Sequence, residues 1–312
     1  MKAATIIIVA MIMAAVLTFL VADLGRSPGL VATSPEGGAA ETPNIIDSQA
    51  PANDPYLSKQ WALSEIPVLG ATTGSTEVLI AVLDTGIDGQ HEDLANKVVA
   101  SINFTQAQTP DDVHGHGTHV AGIIAAATNN GLGIAGIAPN SRLLNVKVAD
   151  DNGMVWASAA AKGIVWAVDN GAKVINMGFF VPSSSPALEQ AIDYAYSKGV
   201  ILVAAAGNEI TSVPIYPASY PEVIAVAATD IDGKLWSKSN YGDWVDAYAP
   251  GVGIYSTIPG NNYGYQSGTS MATAFVSAVA ALALPTVTDA NGNGLVNDEV
   301  TSLLRSILVM PR

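Results

Sequence analysis

At 312 residues with 49% apolar composition, the chain can bury one large core, and an open α/β architecture of this size commonly remains a single domain. Acidic residues outnumber basic ones 27 to 13 for a formal charge of -14, a surface that repels phosphate backbones and acidic lipid and argues against nucleic acid as a partner. No cysteine is present, which removes disulfides, thiol nucleophiles and thiolate zinc sites together.

In chain order, "MKAATIIIVAMIMAAVLTFLVADLGR" places Lys2 before an almost uninterrupted apolar run over residues 3–22, the pattern of an export signal. At about 20 residues the run is also long enough to span a bilayer, and no clear A-x-A cleavage site follows. Residues 1–22 are therefore read as a signal peptide or a membrane anchor. Residues 23–53, rich in Pro, Gly, Ala, Ser and Thr without apolar periodicity, read as a linker or short pro-segment. The main domain is expected over 54–312, from "NDPY" onward.

Within it, short β-branched runs alternate with helical patterns: "VLIAVLD" at 78–84, "LLNVKV" at 143–148, "AKVINM" at 172–177, "VILVAAA" at 200–206 and "EVIAVAA" at 222–228. Their continuous apolarity is what strands covered on both faces require. Helices are predicted over 117–128, 157–170 and 186–198. The reading is an α/β fold with a mainly parallel central sheet in three layers, helices on both faces and a ligand site at the strands' carboxyl ends. A further helix, "SMATAFVSAVAALAL" over 270–284, is apolar on every side and is expected in the middle of the protein.

Three of the four histidines fall within "HGHGTH". His114, His116 and His119 form an H-x-H-x-x-H spacing that suits either metal ligation or proton transfer. A dinuclear metal site needs further ligands downstream, yet no histidine follows His119. The proton-transfer reading finds partners instead. Asp84 ends a strand, His116 opens a helix and Ser270 opens the buried helix. A serine hydroxyl needs an imidazole to take its proton, and a carboxylate must hold that imidazole's tautomer. Taken singly, Asp84 could be a strand-end cap, Ser270 an N-cap and Asn208 a left-handed turn residue.

Together, "DTGID", "HGTHVAG", "AAAGNE" and "SGTSMAT" resemble the four signature segments of the subtilisin-like serine proteases, in that family's order and closest to its thermitase-like branch. The resemblance implies Asp84 as orienter, His116 as general base and acid, Ser270 as nucleophile and Asn208 as side-chain oxyanion donor. It implies polypeptide substrates, a secreted location unless residues 3–22 remain as an anchor, and a monomer. His119 is expected as a packed structural residue, and His91 and His114 as surface or loop groups.

The resemblance also implies structural Ca²⁺, held by Asp54, Asp93 and Asn130 with carbonyls of Thr128, Leu132 and Ile134, oxygen ligands that suit a hard cation. An ordinary Asn-Gly turn at Asn130 is the plainer alternative. "DANGNGLVNDE" has the start of a calcium loop, but Val300 stands at its twelfth position, so a plain loop before a final helix near 299–307 is expected.

Substrate peptides of the family lie between two backbone walls. The first, usually Ser-Leu-Gly-Gly, reads Gly178-Phe179-Phe180-Val181 here, and the second, usually Gly-Ser-Gly, reads Gly153-Met154-Val155. The back wall, Ala205-Ala206-Gly207, is kept. The altered walls predict a pocket shifted toward smaller side chains before the scissile bond. They also leave a second reading, a weakly active or inactive relative that binds peptides. The usual Pro-His after "SMAT" is Ala274-Phe275, the segment before "NDPY" is shorter than the family's inhibitory pro-domain, and the domain is expected to be shortened at its C-terminus, with a cost in stability.

Overall fold

The computed structural model describes residues 53–65 and 77–310. The proposed signal or anchor over 1–22 and nearly all of the linker over 23–53 lie outside these residues.

Seven strands form one parallel sheet in the order β2-β3-β1-β4-β5-β6-β7. They are β1 (Leu79–Asp84), β2 (Val98–Asn103), β3 (Arg142–Lys147), β4 (Val174–Met177), β5 (Ile201–Ala205), β6 (Val223–Thr229) and β7 (Ala247–Pro250). The five apolar runs of the sequence became β1, β3, β4, β5 and β6, and β4, β5 and β6 are buried at every position. Helices α1 (His116–Ala125) and α4 (Thr269–Ala283) cover one face, while α2 (Ala157–Asp169) and α3 (Pro186–Ser197) cover the other. Each face has its own apolar cluster, which gives the three predicted layers.

Helix α4 is buried along almost its whole length, packing on β4, β5, β6 and β7 as well as on α1. Among the described residues it alone, with the turn after it, is long and apolar enough to cross a membrane. Its burial accounts for that composition.

Three elements differ from the sequence reading. Strand β2 is an edge strand with half-exposed positions, so it lacks the continuous apolar pattern. Strand β7 has only four residues. The antiparallel hairpin β8 (Ile254–Ile258) and β9 (Asn262–Gln266) stands apart from the main sheet and turns at Pro259-Gly260. After α4, the loop of residues 289–296 leads into α5 (Asn297–Ile307), the final helix expected near 299–307. There Asp289 accepts main-chain N–H groups from Gly292 and Gly294. Helix α5 buries Val300 and Leu304, Arg305 pairs with Asp246 at 2.9 Å, and the Leu308 carbonyl accepts the Tyr248 amide on edge strand β7.

Candidate active site

Strand β1 lies between β3 and β4, where the chain's progress across the sheet reverses direction. Its carboxyl end is thus the crevice where open α/β sheets place their ligands. Asp84 is the last residue of β1, with only 3% of its side chain exposed. Its Oδ1 accepts the main-chain N–H of Thr85 at 2.7 Å and lies 2.7 Å from Nδ1 of His116.

His116 is the first residue of α1, and its approach to β1 depends on Gly117. A Cβ there would lie 2.0 Å from the Gly86 carbonyl oxygen and 3.0 Å from the Asp84 Cβ. The helix start is held by Asp112, a second buried carboxylate. Its Oδ1 accepts Thr85 Oγ1 and Gly115 N, and its Oδ2 accepts both Thr118 N and Thr118 Oγ1 at 2.7–2.8 Å. Thr85 Oγ1 in turn accepts Gly117 N. The buried Lys147 ammonium donates to the carbonyls of Thr85 and Asp111 and pairs with Asp151 at 2.9 Å.

Ser270 sits in the first turn of α4 without capping it, and its hydroxyl donates to the Gly178 carbonyl at 2.8 Å. Gly178 marks the point of convergence. A Cβ on it would lie 2.9 Å from Asp84 Oδ2, 3.3 Å from His116 Cε1 and 3.4 Å from Ser270 Cβ. Carboxylate, imidazole and serine therefore surround one position.

Asn208 follows the buried back wall Ala205, Ala206 and Gly207. Its Oδ1 accepts Thr269 N at 2.9 Å and Thr269 Oγ1 at 3.1 Å, which leaves Nδ2 as the free donor of the amide. Thr269 Oγ1 also accepts Gly207 N at 3.0 Å. Asn208 is not a left-handed turn residue, so neither it nor Ser270 has the plainer role that the sequence allowed.

The two histidines one turn apart titrate in opposite directions. Burial pushes the His116 imidazole down, but the charge and hydrogen bond of Asp84, with Asp112 behind it, outweigh burial and raise it above 6.5. His119 is fully buried and pushed down to about 4 by that burial, its Nε2 facing the carbonyls of Ile254 and Gly264. It is the packed residue expected. His114 is exposed beside His116, their ring centroids 6.3 Å apart. His91 is a loop group, one of the two alternatives expected, but not a surface one. It is wholly buried, with Nε2 facing the Asn262 carbonyl and Nδ1 accepting Asp93 N.

Of the two altered walls, Gly178 touches the triad and Phe180 is 39% exposed, while the Phe179 side chain packs into the outer core instead of opening to the cleft. The Val181 main chain bridges Tyr216, and the neighbouring Ile215 lies 2.8 Å from where a Cβ on Gly207 would be. Gly153 lies against His114, and Met154 is 60% exposed.

The candidate cation ligands gather around one loop. Asp54 accepts the N–H groups of Asn129 and Asn130, while Asp93 accepts Asn130 Nδ2, Ile134 N and Tyr263 OH. Thr128 Oγ1 donates to the Ala126 carbonyl, and Leu132 N donates to Asn130 Oδ1. Both carboxylates are buried, and none of the salt bridges among the described residues involves them. No group of three or more His, Cys, Asp or Glu that could hold a metal occurs among the described residues. The three clustered histidines face different partners, His116 the Asp84 carboxylate and His119 the Ile254 and Gly264 carbonyls, while His114 is exposed.

The family described as "Subtilase family" matches residues 75–307. The chain belongs to the subtilase family. It is 51% identical over 248 residues to a thermophilic serine proteinase of Bacillus sp. (strain AK1), covering 78% of this chain and 60% of that protein. Thermitase of Thermoactinomyces vulgaris is 46% identical, with 74% of this chain and 84% of the relative covered. Among solved structures, a protease of Pseudoalteromonas arctica PAMC 21717 superposes with a TM-score of 0.72 at 32% identity, covering 82% of this chain and 92% of that one. The subtilase domain here is a serine peptidase domain, and neither its site nor its relatives favour the peptide-binding alternative.

Two contributors escaped the sequence reading. Thr269 stands inside "SGTSMAT" and Asp112 two residues before "HGHGTH", and each was hidden by a more conspicuous neighbour, Ser270 or His114.

Proposed function

We propose that the protein is an exported serine endopeptidase that cleaves polypeptides through an acyl-enzyme on Ser270. The convergence of Asp84, His116 and Ser270 on Gly178 carries this reading. Ser270 Oγ attacks the scissile carbonyl carbon while His116 Nε2 takes its proton. Asp84, bonded to Nδ1, holds the tautomer and stabilises the imidazolium that forms. The carbonyl oxygen becomes an oxyanion, and the free amide donor of Asn208 receives it. Collapse breaks the peptide bond, and His116 returns the proton to the departing amine. Water, deprotonated by His116, then releases the acid and frees Ser270. Labelling of the purified protein by a sulfonyl fluoride, lost in Ser270→Ala, tests the assignment. Equal labelling of both would sink it.

The walls bear on substrate choice. Phe180 replaces a glycine where a substrate backbone should approach, and Ile215 stands behind Gly207. Both support a narrowed pocket for the residue before the scissile bond, favouring small side chains.

Calcium is the fitting cation for the loop around Asp54 and Asp93. Two buried carboxylates without a cationic partner, an amide and main-chain carbonyls form the oxygen-rich donor set that Ca²⁺ prefers. Asn130 would turn its amide oxygen inward, with Thr128, Leu132 and Ile134 offering carbonyls. Bound calcium would neutralise the two carboxylates and tie the N-terminal segment to the loop after α1. Because a ligand that binds only the folded state stabilises it, a chelator should lower the melting temperature and added Ca²⁺ should restore it. An unchanged melting temperature would remove calcium from the proposal.

A further inference from the structure

Asn208 lies in a loop with two left-handed residues, Gly207 at φ +96° and Ile210 at φ +57°. The first is a position for glycine, since a Cβ there would lie 2.5 Å from both Asn240 Nδ2 and Glu209 Oε2. The second is costly, because a β-branched side chain clashes with its own backbone in that region. Such a conformation persists only where its surroundings impose it.

Asn240 imposes it. This side chain, wholly buried in the segment after β6, uses both lone pairs and both amide protons on the same loop. Its Oδ1 accepts the N–H groups of Glu209 at 2.9 Å and Thr211 at 3.1 Å, the amides on either side of Ile210. Its Nδ2 donates to the Ala206 carbonyl at 2.7 Å and to Glu209 Oε2 at 3.0 Å. Its main-chain N–H donates to the Gly207 carbonyl at 2.9 Å. Glu209 Oε2 in turn accepts the main-chain N–H of Asn208 itself at 2.8 Å. The six residues from Ala206 to Thr211 are thus braced from one point, with Asn208 inside the brace.

We propose that Asn240 is a positioning residue for the oxyanion-binding amide, fixing the main chain of Asn208 so that its Nδ2 is aimed before charge develops on the substrate. Thr269 holds the amide oxygen, and Asn240 holds the backbone from which that amide projects. A donor fixed in advance needs no reorganisation when the oxyanion forms, so the contribution belongs to the transition state and not to substrate binding. Only a carboxamide fits the role. An aspartate would set negative charge against the Ala206 carbonyl and the Glu209 carboxylate, and a serine is too short to span both sides. The inference rests on the assignment of Asn208 as oxyanion donor.

The test is a double-mutant cycle on a chromogenic peptide, with active sites counted by sulfonyl fluoride titration so that misfolded protein does not enter the rate. Asn240→Ala should lower kcat by about tenfold to a hundredfold, the loss expected for a donor displaced by about an ångström, with KM changed by less than about twofold. In the Asn208→Ala background the same substitution should cost nothing further. Asn240→Ser, which keeps a polar group in the cavity, serves where the alanine variant does not fold. Equal losses in both backgrounds, or a raised KM at unchanged kcat, would overturn the positioning role alone. A normal kcat in Asn208→Ala would overturn the oxyanion assignment and the positioning role with it.

Discussion

Along the back of the cleft, Ala205 to Asn208 are tied by Thr269, Glu209 and Asn240, and their carbonyls and amides are engaged on almost every side. Along its flanks, Met154 and Phe180 stand 60% and 39% exposed on short backbone segments. On the proposed assignments, the chemistry would rest on backbone held from several elements at once, whereas substrate choice would rest on side chains with room to change.

Five experiments would break or sharpen that contrast. Asn208→Ala, at the back, should lower kcat by about 10²- to 10³-fold with KM nearly unchanged, a magnitude carried over from subtilisin, a relative of this chain. A loss carried mainly by KM would place Asn208 in ground-state binding. Gly178→Ala tests the point where flank and back meet. Its Cβ would press on Asp84 Oδ2 and His116 Cε1, but the family usually carries serine there, so kcat should fall by no more than about tenfold, and a loss of about a hundredfold or more would show that this triad cannot yield where its relatives' does. Phe180→Gly, on the flank, should raise the preference for large residues before the scissile bond by about tenfold at unchanged kcat for small ones. A peptide library varied at that position reads the outcome.

The smallest effect is in pH dependence. Asp84 and Asp112 raise His116, and only the neutral imidazole can accept the serine proton, so kcat/KM should rise through a midpoint above 6.5. A midpoint at or below that value, or a profile flat from pH 5 to 9, would deny His116 its role. His119 carries the opposite sign. Its folded value is depressed, so the stability it contributes is present above pH 6.5 and lost as pH falls toward about 4. Thermal melts across that window should show the decline.

Much of this was legible in the sequence for a physical reason. Strands buried on both faces are apolar throughout, so β1, β3, β4, β5 and β6 declared themselves, and α4 announced its burial by having no polar side. Edge strand β2 and the half-exposed β9 obey no such constraint, and buried β8 hides it by placing Ser256 and Thr257 against helix carbonyls, although the Pro259-Gly260 pair was a readable turn signal. The triad was legible because its residues stand at element ends within recognisable segments. Asn240 was not, because its importance lies in contacts with residues some thirty positions away, and nothing in "SKSNYG" foretells them. His91 misled for a similar reason: a lone histidine between polar neighbours looks exposed until Asn262 and Asp93 close over it.

A peptidase in solution is surrounded by copies of itself, and its own projecting ribbons are the first segments they can cut. In the β8–β9 ribbon only β9 is open to them, since β8 is buried and His119 fastens both strands, by the Ile254 and Gly264 carbonyls, to the helix that begins with His116. Loosening β9 enough to be digested would therefore pull on the helix that carries His116, so that a cut there and a loss of activity should arrive together.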